Sequence, residues 1–334
     1  MPWKGESDPY KIWISEIILQ QTRVQQGMEY YNRFIAAFPD IQTLAMASEK
    51  KVYKLWEGLG YYSRCKNLMA TAKFINGELS GKFPEKYEDI LGLKGIGTYT
   101  ASAIASFAFN QPFAVLDGNV FRVLSRFFGR EIPINTTEGK KFYGTLSQSL
   151  LNKSTPGIYN QALMDFGAVI CKPAAPLCLQ CPFKEKCVAF LEDKVANLPV
   201  NTKRISHRER FFNYLVVKYN QQFYLRKRTG KDIWQNLYEF PLIESKSLLD
   251  DTRLKENKEI IKIVNQPDFT IGYISPEISQ KLTHQIIRGR FIHVEINSPL
   301  AGNEYFVADA TQLKTLPFPK FIASYLRDKN VSLN

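Results

Sequence analysis

Four of the chain's five cysteines lie between positions 171 and 187, as Cys171, Cys178, Cys181 and Cys187, in the spacing Cys-x6-Cys-x2-Cys-x5-Cys. Cys65 stands apart. The N-terminus, Met1-Pro2-Trp3-Lys4-Gly5-Glu6, lacks the basic-then-apolar layout of a signal peptide. No apolar run reaches the roughly 18 residues that span a bilayer. A reducing, cytoplasmic setting is therefore expected, with no membrane partner. In such a compartment clustered thiolates bind metal rather than pair as disulfides. Four thiolates at this spacing can close around one [4Fe–4S] cube or one Zn²⁺, and ligand type alone does not separate the two. Pro182, Lys184 and Lys186 suit a stiff loop that faces phosphate.

The charge balance points the same way. Lys and Arg number 44 against 32 Asp and Glu, a net +12. The excess is divided between residues 1–200 (23 basic, 18 acidic, +5) and 201–334 (21 basic, 14 acidic, +7), so no terminal arm carries it. A polyanion such as nucleic acid is one reading, and a soluble protein that is merely basic is the other. With 334 residues, two domains are the expectation.

Apolar periodicity with Gly and Pro stops predicts helices over 10–24, 28–38, 49–59, 65–76, 98–109, 119–128, 136–151 and 159–170. These make an all-α domain over 1–194. A linker follows at 195–210, with Pro199 and the basic cluster Lys203, Arg204, Arg208 and Arg210. Residues 211–334 read as a smaller α+β domain. Its strands are expected at 211–219, 222–227, 269–274, 290–296 and 305–308, and its helices near 243–249 and 316–329.

Several local patterns carry chemistry. Leu91-Gly92-Leu93-Lys94-Gly95-Ile96-Gly97 precedes the helix at Thr98. It can be an ordinary turn, or a helix–hairpin–helix whose backbone N–H groups face a phosphate. Asp117, in Leu116-Asp117-Gly118-Asn119-Val120, is placed to cap a helix, and a cap is also where an ionised carboxylate is stabilised. Glu16 interrupts the apolar run Ile12–Leu19, with Gln20 and Gln21 after it. It lies either on a solvated face or in a cleft, where burial raises its pKa. Gly58-Leu59-Gly60-Tyr61-Tyr62-Ser63-Arg64 sets two aromatics and a cation at a glycine turn, suited to stacking on bases or to plain packing.

Together, Pro2-Trp3, Ser15-Glu16 with Leu19-Gln20-Gln21-Thr22, the Gly58–Arg64 segment, Gly95-Ile96-Gly97-Thr98-Tyr99-Thr100-Ala101, Leu116–Val120, Asn160-Gln161-Ala162-Leu163-Met164-Asp165-Phe166-Gly167 and the four-cysteine spacing resemble one family. It is the helix–hairpin–helix DNA glycosylases with an iron–sulfur cluster, the endonuclease III superfamily, and within it the adenine DNA glycosylases of the MutY type. The resemblance is strong over the first 190 residues and weak over the last 120.

The resemblance implies a mainly α glycosylase domain with the four cysteines on a [4Fe–4S] cluster, followed by a Nudix-like domain that reads 8-oxoguanine. It implies removal of adenine opposite 8-oxoguanine in double-stranded DNA, by a chain expected to act as a monomer. Glu16 matches the general acid and Asp117 the carboxylate that stabilises the sugar cation, with Glu16 protonated and Asp117 ionised. Tyr99 and Asn119 match the residues that hold Asp117 and the sugar. Trp3 and Gln161 match adenine-pocket positions, and Gln21 and Tyr61 match residues that push into the base stack. Arg64, Gly95, Gly97 and, through its added charge, Lys94 are the candidate DNA-backbone contacts. Bifunctional members carry a lysine where this chain has Tyr99, so base excision without strand cleavage is expected. A bifunctional glycosylase-lyase and a non-catalytic Fe–S nucleic-acid-binding protein are the alternatives. The chain departs from the family at Lys94, where proline is usual, and at Leu282-Thr283-His284, where the lesion-reading loop is Phe-Ser-His. Thr283 and His284 are its lesion-contact candidates. No Gly-x5-Glu-x7-Arg-Glu hydrolase motif is present in the second domain.

Overall fold

The computed structural model describes residues 4–22, 24–202 and 207–328. By contacts the chain divides into two units: Met1–Ala47 with Lys66–Arg204, and Ser48–Cys65 with Ile205–Asn334. The second unit thus takes in a stretch that the sequence reading assigned to the α domain.

The helices of the first part are α1 (Pro9–Leu19), α2 (Val24–Ala37), α3 (Ile41–Met46), α4 (Glu49–Trp56), α5 (Tyr62–Glu78), α6 (Tyr87–Gly92), α7 (Thr98–Phe109), α8 (Gly118–Phe127), α9 (Thr137–Leu150), α10 (Pro156–Val169) and the short α11 (Val188–Leu191). Helix α1 starts because the Asp8 carboxylate accepts from Tyr10 N at 2.9 Å and Pro9 needs no N–H partner at the first turn. It is apolar nearly all round, burying Ile12, Trp13, Ile14, Ile17 and Ile18, so it is a central helix packed on α2 and α7. It ends at Leu19, short of the expected residue 24. The Gln20 amide leaves the apolar face to donate to Thr100 Oγ1 at 3.2 Å, and Gln21 takes a left-handed φ of +55° that no helix accepts. Helix α7 is lined with small buried residues from Ala101 to Ser106, which lets α1 and α10 approach it closely.

The second unit is built on an eight-stranded sheet. Its elements are β1 (Arg208–Tyr219), β2 (Gln222–Lys227), β3 (Tyr238–Glu239), β4 (Leu242–Ser245), α12 (Lys258–Val264), β5 (Phe269–Ile274), β6 (Ile278–Lys281), β7 (Gln285–Ile296), β8 (Phe306–Ala308), α13 (Ala310–Thr315) and α14 (Lys320–Arg327). The central pair, β1 and β7, runs parallel from Arg208 opposite Gln285 to Lys218 opposite Glu295. On one face Leu215, Val217, Ile292 and Val294 pack under Ile260 and Val264 of α12. On the other, Tyr214 and Phe291 stack at 5.4 Å, with Phe321 and Tyr325 of α14 against Phe291. Tyr53 of α4 accepts from Asn236, the Lys54 ammonium reaches Leu316 O at 2.9 Å, and Glu57 accepts from Phe318 N at 3.2 Å. These bonds tie α4 to the sheet unit.

Three further expectations change. The helix near 243–249 is strand β4, because Ile243 turns inward while Glu244 faces Arg210 across an antiparallel pairing with β1. The last helix begins at Lys320 rather than 316, since Pro317 and Pro319 hold the preceding chain extended. Arg208 and Arg210, read as linker, belong to β1. Arg210 is 9% exposed and is paired with both Asp232 and Glu244, so it is a structural cation rather than a phosphate contact. Lys203 and Arg204 lie outside the described residues.

Candidate active site

Glu16 sits in mid-α1, only 6% exposed, and opens on a cavity of about 670 Å³. Tyr99 at the start of α7, Asp117 and Asn119 at the start of α8, and Gln161 on α10 line the same cavity. Residues scattered over 146 positions of sequence, from 16 to 161, thus meet at one place because α1, α7, α8 and α10 pack together.

Burial pushes the Glu16 carboxyl up to about 7, with the Tyr99 hydroxyl bond opposing this and the Asp117 charge adding to it. Asp117 caps α8: it accepts from Val120 N at 2.7 Å and from Asn119 Nδ2 at 2.7 Å. Burial raises its carboxyl too, against those donors and the Arg122 charge, which favour the ionised form. Both carboxyls thus shift the same way, where the resemblance implied one protonated and one ionised acid. Both are desolvated, and Asp117 alone has in addition several donors and a cation that favour its ionised form. Capping and a place in the cavity are not alternatives for Asp117; one geometry provides both.

The sequence reading missed Arg122. Its guanidinium donates to Asn119 Oδ1 at 2.9 Å, Gly167 O at 2.7 Å and Cys171 O at 2.6 Å. Asn119 is thereby fixed between Arg122 and Asp117. Gly167 permits this closeness, since a Cβ there would lie 2.7 Å from that of Asn119. The one available signal was a cation three residues after Asn119, set among Val120, Val123 and Leu124 on a helix.

Beyond the cavity, the hairpin between α6 and α7 has the anticipated form. Gly95 has φ +82°, and a Cβ there would meet Asn67 Cβ at 2.7 Å. Gly97 is extended and faces open space, and Lys94 is exposed with its carbonyl held by Thr71 at 2.8 Å. Gln21 is exposed at the turn after α1, while Leu19 and Thr22 on either side of it line the cavity. Trp3 lies outside the described residues.

In the sheet unit, Tyr61 is exposed, with φ +49°, after Gly58 and Gly60, which also have positive φ. Its hydroxyl lies 3.0 Å from Thr283 Oγ1. Thr283 and exposed His284 sit in the tight turn joining β6 to β7. Arg64 is turned inward over the Trp56 and Tyr61 rings, 5.5 and 5.1 Å from their centroids, and burial pushes its pKa down to about 10.

Cys171, Cys178, Cys181 and Cys187 all border a second cavity of about 430 Å³, walled by Phe127, Phe166, Phe183 and Phe190. Among the described residues no three His, Cys, Asp or Glu side chains converge as ligands of a single ion. Arg126 spans the loop, donating to Lys172 O at 2.8 Å and Cys171 Sγ at 3.5 Å. No helix among the described residues is long and apolar enough to cross a membrane.

Residues 14–139 match the family described as HhH-GPD superfamily base excision DNA repair protein, and residues 213–328 match the NUDIX domain. The adenine DNA glycosylase of Buchnera aphidicola subsp. Schizaphis graminum is 39% identical over 260 residues, which cover 77% of this chain and 74% of that protein. The adenine DNA glycosylase of Homo sapiens is 42% identical over 200 residues, covering 57% of this chain and 36% of that one. The solved structure of a thermostable thymine-DNA glycosylase aligns with a TM-score of 0.54 at 28% identity, covering 57% of this chain and 88% of that chain. This identity over most of a relative's length, with the matching glycosylase family model, places the chain in the adenine DNA glycosylase (MutY) family of base-excision repair enzymes.

Proposed function

We propose that the chain hydrolyses the N-glycosidic bond of adenine opposite 8-oxoguanine, without cutting the strand, and that the cavity around Glu16 receives the flipped adenine. The observation that carries this reading is a carboxyl raised to about 7 by burial, in one cavity with a second carboxyl held by three donors. Extrusion of the base costs a few kcal/mol. Glu16 gives its proton to N7, the C1′–N9 bond breaks with its electron pair going to the base, and adenine leaves neutral. The sugar left behind is an oxocarbenium ion, as in glycoside hydrolysis. Asp117 stabilises that cation until water adds at C1′ and passes its proton to the Glu16 carboxylate, and Asn119 and Tyr99 keep the two carboxyl groups in place. Tyr99 offers no amine for a Schiff base, which supports hydrolysis alone. Gln21 and Tyr61, both in left-handed backbone on exposed turns, suit side chains held out to enter a base stack. The hairpin at Lys94, Gly95 and Gly97 suits a backbone-phosphate contact.

Cys171, Cys178, Cys181 and Cys187 would hold a [4Fe–4S] cluster, which ties the 171–187 loop together and leaves no coordination position for substrate. The four thiols border one cavity walled by aromatic rings, a donor set that fits such a cluster.

The test is single-turnover base release from duplexes carrying adenine opposite 8-oxoguanine, guanine or thymine, with borohydride present in a parallel set. Release is expected fastest opposite 8-oxoguanine and slower opposite guanine, with no trapped adduct. Equal rates on all three duplexes would overturn the lesion preference. Efficient trapping would overturn the monofunctional reading.

A further inference from the structure

Gln161 lines the 670 Å³ cavity from α10, and Asp165 stands one turn further along the same helix. The Gln161 amide donates through Nε2 to Asp165 Oδ1 at 3.1 Å, and the other Asp165 oxygen takes the Lys4 ammonium. A glutamine amide has a donor end and an acceptor end, exchanged by a half-turn about its last bond. A carboxylate only accepts. Asp165 can therefore hold only the amino end, and the Gln161 carbonyl is left for whatever enters the cavity. Lys4 strengthens the choice by occupying the second carboxylate oxygen, which keeps the first one aimed at Gln161.

We propose that Asp165, paired with Lys4, is a positioning residue that presents Gln161 as a hydrogen-bond acceptor, so that the pocket selects a purine bearing an amino group at C6. This rests on the reading of the cavity as the base pocket. On its major-groove edge adenine shows the N7 acceptor beside the N6 amino donor, whereas guanine shows two acceptors, N7 and O6. Glu16 in its protonated form offers a donor and Gln161 so held offers an acceptor. The pair complements adenine and sets oxygen against oxygen at guanine O6. Gln161 turned the other way would lose this distinction.

The experiment compares single-turnover release of adenine and of purine, the analogue without the 6-amino group, from otherwise identical duplexes. In Asp165→Asn the new amide can face Gln161 with either end. The adenine-to-purine ratio is expected to fall by up to about tenfold, the worth of one neutral hydrogen bond, through weaker half-saturation rather than a slower saturated rate. Purine release should keep its parent rate, which a damaged fold would not allow. Asp165→Glu, still acceptor-only, should restore most of the ratio, and Lys4→Met should lower it by a smaller factor. Equal slowing of both substrates in Asp165→Asn would overturn the positioning role, as would an unchanged ratio there when Gln161→Ala collapses it. An unchanged ratio in Gln161→Ala itself would instead overturn the reading of the cavity as the base pocket.

Discussion

A carboxylic acid between Ser15 and Ile17, on a helix that buries Ile14 and Ile18, is costly to ionise, and the cost has a sign. The folded value of Glu16, about 7, lies above its ordinary 4.5. As pH rises between the two, the unfolded chain has released this proton and the folded chain has not. Unfolding free energy therefore falls through that window and levels off above it. A shift from 4.5 to about 7 corresponds to ~3 kcal/mol. Glu16→Gln removes the term while keeping the shape. The variant is expected to match the parent near pH 4 and to exceed its stability at pH 8 in denaturant titrations, while base release disappears because the amide has no proton to give. In the parent, base release should decline as pH rises past about 7. A Gln variant with the parent's stability profile would show that Glu16 is solvated after all. At this scale the site was half legible. Glu16 and Asp117 stand out because a charge inside an apolar run, or before a helix, is anomalous in its own neighbourhood. Arg122 and the Lys4–Asp165 pair do not stand out. Each is an unremarkable polar residue locally, and its meaning comes from partners 49 and 161 positions away.

The hairpin between α6 and α7 separates two uses of glycine. Gly95 needs its left-handed φ and has no room for a Cβ against Asn67, so Gly95→Ala is expected to cost about 1–3 kcal/mol of stability. Gly97 is extended, with open space where a side chain would project. Gly97→Ala should leave stability within about 0.5 kcal/mol. It should still weaken duplex binding, because the added methyl stands at the helix start where phosphate would approach. Thermal melts and salt-matched binding titrations on both variants decide this. Loss of stability in Gly97→Ala, or intact stability in Gly95→Ala, would contradict the geometry. Helices were readable wherever a cap and an apolar stripe coincided, as at Ser48 before α4 and Thr136 before α9. Strand β4 was not, because four residues show too little periodicity to separate strand from helix, and its character is set by pairing with β1. Short α3, opened by the Asp40 cap, was missed for the same reason of length.

No local pattern could show that 48–65 belongs with the sheet, since the decisive bonds join Lys54, Glu57 and Tyr62 to Leu316 and Phe318. The consequence for function is that two candidates for lesion contact, proposed from segments more than two hundred residues apart, are neighbours inside one unit: Tyr61 and Thr283, joined hydroxyl to hydroxyl. A threonine hydroxyl has one hydrogen to donate and lone pairs to accept. 8-Oxoguanine differs from guanine by an O8 acceptor and an N7–H donor, so a hydroxyl set beside that edge can bond the lesion in a way guanine cannot match. Tyr61 bears on which way the Thr283 hydroxyl turns: while the phenol donates to Thr283, the Thr283 hydrogen is free for O8. Discrimination of this kind is worth roughly 1–3 kcal/mol, about tenfold to a hundredfold in preference. Thr283→Ala with His284→Ala is therefore expected to narrow the preference for 8-oxoguanine over guanine opposite adenine by such a factor. The rate on the guanine mispair should stay close to the parent's, since the Glu16 cavity is untouched. Tyr61→Phe keeps the ring but loses the donor, and should narrow the preference by less. Rates on the two mispairs, measured at one salt concentration for parent and variants, give the ratio directly. If the double variant kept the parent's ratio, lesion reading would lie elsewhere than the β6–β7 turn. If it slowed both substrates alike, the turn would serve affinity rather than discrimination.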